Sequence, residues 1–444
     1  MRLLSSAFVA LLAFARLSFA ASSSGDSVLV LLDTSLDREN YSIFFGGLEK
    51  RGYSLTFRAP KDASPAITDY DVPNFDHVIF FSPEAKSYAQ DITPQSLVGL
   101  LSEKTNLLIA LSPKQTPLTS LATEFSLILP PPETPLISHH PARSERPTTI
   151  PVAVSSSSPL LTPGIPPVWF SGAPHALGNN PMLVPILRAP AESFAADSTD
   201  DTGADGIVDA TEKGGEGLWA GSQMGLVTGF QTNVNSRVVF AGGIDLFSDE
   251  YARKELPSGT PSGNSQFARD IATWVFQETL TLRIDSVEHH RVNQTEAPEM
   301  YTTNDEIVYT AHISSYDSRT STWKPYSGIG DLQLEFTMLD PHIRTSLPPV
   351  PGSPGTYQVQ FRAPDRHGVF KFILNWKRKG YSYLSSSTTV PVVPPRHDGY
   401  PRFLSAAWPY YTGAISTSAG FFLFAALWLA GDVKGERKKV SKAE

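Results

Sequence analysis

The chain has 444 residues, 41% hydrophobic and 18% charged, with 36 Lys and Arg against 44 Asp and Glu and a net charge of −8. That length allows two or three globular domains, and the acidic balance gives no ground for nucleic-acid binding. No cysteine is present, which removes disulfides, thiol catalysis and cysteine–zinc sites together.

Met1-Arg2 leads an apolar run that ends in Ser18-Phe19-Ala20. Small residues at Ser18 and Ala20 suit a signal peptidase, so residues 1–20 read as a cleaved signal peptide. Residues 21–281 read as an α/β domain. Its first strand is SVLVLL at 27–32, and a helix follows over 38–51, with Tyr41, Phe44, Phe45 and Leu48 on one face and Gly52 as its stop. Strands are expected at 53–57 and 77–81, a turn-rich stretch at 71–76, a helix at 94–101 and a strand at 106–111. Short apolar strands alternating with helices predict a parallel sheet covered on both faces. The pattern then breaks twice. Residues 130–167 are rich in proline and serine and read as surface loop with isolated elements. Residues 192–217 hold Asp197, Asp200, Asp201, Asp205 and Asp209 without the terminal glutamate of a calcium loop, and read as a solvated insertion. Strands return at 225–230 and 237–241, then a helix at 264–278.

From residue 282 the period changes to two. Ile307, Tyr309 and Ala311, then Leu332, Leu334, Phe336 and Met338, then Tyr357, Val359 and Phe361, then Phe370, Phe372, Leu374 and Trp376 alternate with polar residues. This predicts an antiparallel β-sandwich over 282–395. Residues 396–411 read as a juxtamembrane linker. Residues 412–431, TGAISTSAGFFLFAALWLAG, carry no charge and are long enough to cross a bilayer as a helix. Trp408, Tyr410, Tyr411 and Trp428 stand at its ends, and the basic tail 432–444 (Lys434, Arg437, Lys438, Lys439, Lys442) belongs on the cytoplasmic side. The expected topology is type I, with the bulk of the chain in the lumen.

Candidate chemistry is sparse. Asp33 ends the first strand, where an α/β sheet binds ligands, with Asp37 and Glu39 nearby. Acid–base work is one role open to these acids; helix capping and turn formation are the other. No glycine-rich turn follows that strand, and Gly328-Ile329-Gly330 lacks a third glycine. His139-His140 lies in the proline-rich stretch, His289-His290 on a strand that turns adjacent residues to opposite faces, and His175 in a turn. No catalytic set, metal set or cofactor site is assigned. Two sequons, Asn40-Tyr41-Ser42 and Asn293-Gln294-Thr295, are candidate N-glycosylation sites. Gly413, Ser416 and Gly420 recur at three-to-four-residue spacing and make one small helix face suited to packing in a membrane; tolerance of a polar interface is the other reading of the same residues.

Collinear segments carry a resemblance. Residues 28–58, VLVLLDTSLDRENYSIFFGGLEKRGYSLTFR, are similar to the amino-terminal segment of the non-catalytic 48 kDa subunit family of oligosaccharyltransferase. RVVFAGGIDLFS at 237–248, TWVFQE at 273–278, DLQLEF at 331–336, Asp340-Pro341, YQVQF at 357–361, GVFKF at 368–372, Gly380-Tyr381 and Pro409-Tyr410-Tyr411 continue it in order. The resemblance implies a type I endoplasmic-reticulum membrane protein that stabilises a complex. That complex moves a preassembled oligosaccharide from dolichyl diphosphate to asparagine of Asn-x-Ser/Thr. It further implies a catalytic multi-spanning subunit, a ribophorin-like subunit and a small membrane subunit as partners, and it transfers no catalytic residue. The insertions near 130–167 and 192–217 are longer than the family pattern. A complete dilysine tail is missing, since Lys442 has Val440 and Ser441 before it. Two other functions compete: a luminal enzyme using the Asp33 crevice, and a cell-surface adhesion receptor. A water-excluded pocket with a base near Asp33 would favour the first, and surface labelling the second.

Overall fold

The structure is a computed structural model that describes residues 21–155, 158–196, 219–399 and 403–440. The expected signal peptide, most of the acidic insertion and Lys442 lie outside the described residues. The chain forms two compact units. The first comprises Glu306–Phe361, Phe370–Thr389 and the chain up to Pro298; the second comprises Glu299–Asp305, Arg362–Val369 and Val390–Glu444.

A seven-stranded sheet organises the first part of unit one. Its strands are β1 (Ser27–Leu32), β2 (Ser54–Arg58), β3 (His77–Phe81), β4 (Asn106–Ala110), β5 (Leu183–Arg188), β6 (Gly225–Gln231) and β7 (Arg237–Ala241). They lie in the order β5-β6-β7-β4-β3-β1-β2. β1, β2, β3, β4 and β7 run parallel, while β6 and β5 pair antiparallel at one edge. The sheet is therefore mixed. The antiparallel return is short: β6 and β7 are joined by a tight turn in which Asn235 takes φ 72°.

Alternation decides which side chains face which layer. Val28, Val30, Ile79, Phe81, Leu108, Ala110, Val239 and Ala241 share one buried cluster with α1 (Ser42–Lys50) and residues of a later helix. Leu29, Leu31, Val78, Phe80, Leu107, Ile109, Val238 and Phe240 share the other with α2 (Pro94–Ser102) and α3 (Pro117–Glu124). The later helix is α4 (Asn264–Val275), which buries Phe267, Ile271, Trp274 and Val275. On α1, Phe44 meets Phe81 at 5.6 Å and Phe247 at 5.1 Å between ring centres. Each such buried ring contributes about 2 kcal/mol or more.

Three local expectations change. The helix expected over 38–51 is two pieces, a 3-10 turn Arg38–Tyr41 and α1. Asp37 caps the turn by accepting from Glu39 N at 3.1 Å. Asp249, from a distant helix, caps α1 by accepting from Ile43 N at 2.9 Å. Second, α3 falls in a region with no predicted element, yet Thr116 and Thr119 form the same capping box, with a proline first in the helix, as Thr93 and Ser96 do on α2. Third, the stretch 130–167 has isolated elements, as expected, but part of it is buried and not on the surface. Leu136, Ile150, Val152, Leu160 and Leu161 are buried, and Ile150–Val152 pairs with Val168–Phe170. Of the acidic insertion only its start is described; Phe194–Ala195 pairs with Leu136–Ile137.

The β-rich part follows. One sheet contains β8 (Leu282–Arg291), β9 (Glu306–Asp317), β10 (Thr322–Pro325) and a strand at Thr356–Arg362. The other contains strands at Gln333–Thr337, Pro341–Ser346, Gly368–Trp376 and Leu384–Val393. Rings from the first sheet meet rings from the second: Tyr309 lies 5.3 Å from Phe372, and Phe361 lies 5.5 Å from Phe336.

In the second unit, Tyr301 and Thr302 pair with Val392 and Val393, and Ala363 N donates to Asp305 O at 2.8 Å. The unit ends in α5 (Trp408–Val440), 33 residues long. The stretch Ser405–Ala430, a 3-10 turn running into α5, is apolar, unburied and long enough for a membrane span. At 1.5 Å per residue its 26 residues extend about 39 Å, against a hydrocarbon core of about 30 Å. The helix starts at Trp408, inside the expected linker, and Phe403 stacks on Tyr411 at 4.9 Å just before it.

Candidate functional site

In the parallel part of the sheet the chain leaves β1 toward β2 on one side and returns to β3 on the other. The crevice beyond β1 and β3 is therefore the position where α/β sheets place ligands. Asp33 stands there, and its N–H donates to Phe81 O at 3.0 Å. Its carboxylate accepts from Ser35 N at 3.1 Å, so Asp33 builds the turn that follows β1. Asp37 is occupied by the cap already described, and Glu39 is exposed.

Tyr88 is half-buried and bonds Ser82, the residue after β3. Its hydroxyl donates to Ser82 O at 2.9 Å and lies 3.1 Å from Ser82 Oγ. Burial pushes this phenol up to about 12; the Ser82 hydrogen bond acts against the rise, and the Asp33 charge adds to it. It stays protonated at neutral pH. Tyr41, buried on the face of α1 and β1, lies within the field of Asp245. Burial and then the Asp245 charge raise Tyr41, while burial and Glu250 hold Asp245 above the usual carboxylate range.

The end of β7 is closed by backbone. A Cβ on Gly242 would meet Ala173 O at 2.1 Å, and one on Gly243 would meet Ser171 O at 1.9 Å. Ala173 N donates to Gly242 O at 2.8 Å. The glycine pair thus admits a crossing chain segment, and its backbone is taken up by that segment. A cavity of 360 Å³ remains beside β4, lined by Ser112, Lys114, Thr119, Pro130 and Ala173 among others.

The histidines are scattered. His175 and His77 are fully buried. His175 Nε2 lies 2.7 Å from Thr228 Oγ1. His77 lies between Gly25 O (3.1 Å from Nε2) and Asn106 Nδ2 (3.2 Å from Nδ1). Burial pushes each imidazole down to about 4, offset in part for His77 by the Gly25 carbonyl and the charges of Asp76 and Asp26. His139 and His140 are exposed. His289 stacks on Phe372 at 4.9 Å, and His290 Nδ1 bonds Arg291 O at 2.8 Å, so the pair faces apart. Among the described residues no three His, Asp or Glu side chains are placed to hold a metal.

Asn40 and Asn293 are both exposed, the first in the 3-10 turn and the second in the turn after β8. Tyr41 between Asn40 and Ser42 is buried, and Ser42 Oγ donates to Asp249 at 2.5 Å. Gly413, Ser416 and Gly420 lie on α5 with open space around both glycines. Ser416 Oγ donates back to Gly413 O at 2.9 Å, which satisfies its hydroxyl inside the helix.

The main feature that sequence reasoning missed is a clamp. Gln231, Asn235, Arg237 and Trp274, from the sheet and α4, grip Gly380–Tyr383, a turn of the β-rich part. Trp274 Nε1 donates to Gly380 O at 2.8 Å, Gln231 Nε2 to Tyr381 O at 2.8 Å, and Asn235 both donates to Tyr383 O at 3.0 Å and accepts from Tyr383 N at 2.6 Å. Arg237, fully buried, donates to Trp274 O (2.7 Å), Thr279 O (3.0 Å), Leu280 O (3.0 Å) and Ser382 Oγ (3.3 Å). Burial lowers its guanidinium to about 9, partly offset by Tyr383. An arginine opening an otherwise apolar strand, RVVFA, was the available signal.

These features define an α/β protein with one apolar helix long enough to cross a membrane and with buried polar groups that join its sheet to its β-rich part. The OST48 N-terminal domain model matches residues 19–278, and the OST48 middle domain model matches residues 289–432. The dolichyl-diphosphooligosaccharide–protein glycosyltransferase 48 kDa subunit of Danio rerio is 33% identical over 417 residues, covering 90% of this chain and 91% of that protein. The subunits of the same name from Caenorhabditis elegans and Arabidopsis thaliana are 32% and 29% identical, covering 91% and 90% of this chain and 91% and 92% of theirs. The chain belongs to the oligosaccharyltransferase 48 kDa subunit family.

Proposed function

We propose that the chain serves as a non-catalytic subunit of the endoplasmic-reticulum oligosaccharyltransferase complex. It holds the assembly together while another, multi-spanning subunit transfers oligosaccharide from dolichyl diphosphate to Asn-x-Ser/Thr. The observation that carries this reading is the family likeness, collinear from the first strand through the apolar helix. The use of the crevice groups supports it: Asp33 and Asp37 cap their own backbone, and the buried histidines are neutral and bonded internally.

In this reading residues 21–281 and 282–395 are luminal, the second a β-sandwich formed by the two sheets. Residues 412–431 span the membrane and 432–444 face the cytoplasm. A ribophorin-like subunit and a small membrane subunit are the further partners. The face Gly413, Ser416 and Gly420 receives a partner helix, and Asn40 and Asn293 are available for glycan.

The test is purification of the full chain from native membranes in mild detergent. Multi-spanning and smaller membrane subunits should co-purify, and depletion should leave secreted proteins under-glycosylated. In sealed microsomes, protease should remove only the basic tail. A chain that purifies alone, or a protected tag at Glu444, would refute the assignment.

A further inference from the structure

Between β2 and β3 the chain makes a miniature hairpin in which Thr68 pairs with Pro73 and Asp69 with Val72. Its two-residue turn is Tyr70-Asp71, at φ 48° and φ 65°. Two-residue hairpin turns with both residues left-handed favour Asn-Gly or Asp-Gly, because a bulky side chain is strained there. Among the described residues Tyr70 is the only aromatic at left-handed φ. Its ring nevertheless gains nothing from the fold, being 96% exposed, and Val72 beside it is 64% exposed. Asp69 and Asp71 flank it, both exposed, with no side-chain partner among the described residues.

The base of the hairpin is held firmly. Ile67 is buried, and its N–H donates to Asp91 Oδ2 at 3.2 Å. Asp91 accepts from both terminal guanidinium nitrogens of the buried Arg58 at 2.7 Å, and Arg58 also donates to Pro65 O at 2.6 Å. Asn74 N donates to Ile67 O at 2.9 Å and its side chain to Ala66 O at 3.1 Å. A strained residue on a braced scaffold, with its side chain in solvent, is a pre-organised contact.

We infer that the Tyr70 hairpin is a docking knob: Tyr70 enters a cleft on another protein subunit of the same complex, and that cleft is rimmed by Lys or Arg that pair with Asp69 and Asp71. Tyrosine at the centre with charges at the rim is the composition of an interface hot spot. The two carboxylates favour a basic protein cleft and disfavour an anionic membrane surface. This inference rests on reading the chain as a subunit of a complex.

The test uses the full chain, tagged at its carboxyl end and purified from native membranes. Tyr70→Asn suits the left-handed turn better, so the thermal midpoint should equal or exceed that of the wild type, while retention of the contacted subunit falls about tenfold. The pair Asp69→Asn and Asp71→Asn keeps the turn chemistry and should weaken retention and flatten its salt dependence. A photoreactive phenylalanine analogue at position 70 should cross-link to a Lys- or Arg-rich segment of one subunit. If the wild-type chain brings down no subunit, the assignment to the complex falls, and this inference with it. If the wild type brings down the complex but Tyr70→Asn does so equally, or position 70 cross-links only to lipid or to nothing, the knob alone is refuted.

Discussion

Acidification is expected to destabilise the first unit through two buried histidines. His77 and His175 are fully buried, with imidazoles pushed down to about 4 from an ordinary value of about 6.5. As pH falls below about 6.5 the unfolded chain takes up these protons first. Stability is therefore lost between about pH 6.5 and pH 4 and changes little from this source above or below that window. From about pH 7 to pH 5 each histidine removes about 2 kcal/mol, so the pair removes about 4 kcal/mol. Asp245, held above the usual carboxylate range, works in the opposite sense and makes the net loss smaller. Urea unfolding of the full chain in detergent, followed by tryptophan fluorescence at both pH values, measures the slope. Glutamine keeps a hydrogen-bonding side chain near Thr228 or Gly25 and cannot titrate. His175→Gln and His77→Gln should each lower stability near pH 7, yet each should reduce the pH-dependent loss by about 2 kcal/mol. Equal pH dependence in the wild type and in both variants would refute the reasoning.

Arg237→Ala removes four hydrogen bonds and opens a cavity, and should cost about 3–5 kcal/mol. Arg237→Met fills most of that space and removes the buried charge, so its cost should stay within about 2 kcal/mol; denaturant midpoints of the two variants decide the order. Replacing Gly413, Ser416 and Gly420 together by leucine leaves α5 apolar, so insertion should survive while partner subunits co-purify in lower yield. Equal yield would show that α5 only anchors the chain.

The short unbroken apolar runs SVLVLL, HVIFF, NLLIA and RVVFA were enough to place four strands that are buried on both faces, because a strand covered on both sides has no solvent-facing position to fill with a polar residue. The α1 face was legible for the same reason, and so was α5, since a run of uncharged residues states its own solvent. The capping box at Thr116 was present in the sequence but was hidden among prolines. Asp33 and Asp37 could be located near the end of β1 from sequence, but the use of the first in a turn and of the second as a cap needed the coordinates. Other features depended on residues far apart in the chain. Asp249 caps α1 across more than two hundred positions, Ser171–Ala173 lies over Gly242-Gly243, and Arg237 reaches Ser382. Hydrogen bonds of that kind leave no periodic trace, because each is fixed by where the chain returns in space. The mixed sheet has the same origin. β6 was legible as a strand but its direction was not, and β5 had no predicted element; the short turn at Asn235 sets β6 antiparallel to β7, and β5 pairs antiparallel with β6 in turn. The sequence by itself determined the period and solvent of each element; only the tertiary structure decided which buried polar groups would meet, since a desolvated donor accepts whatever partner the fold brings within reach.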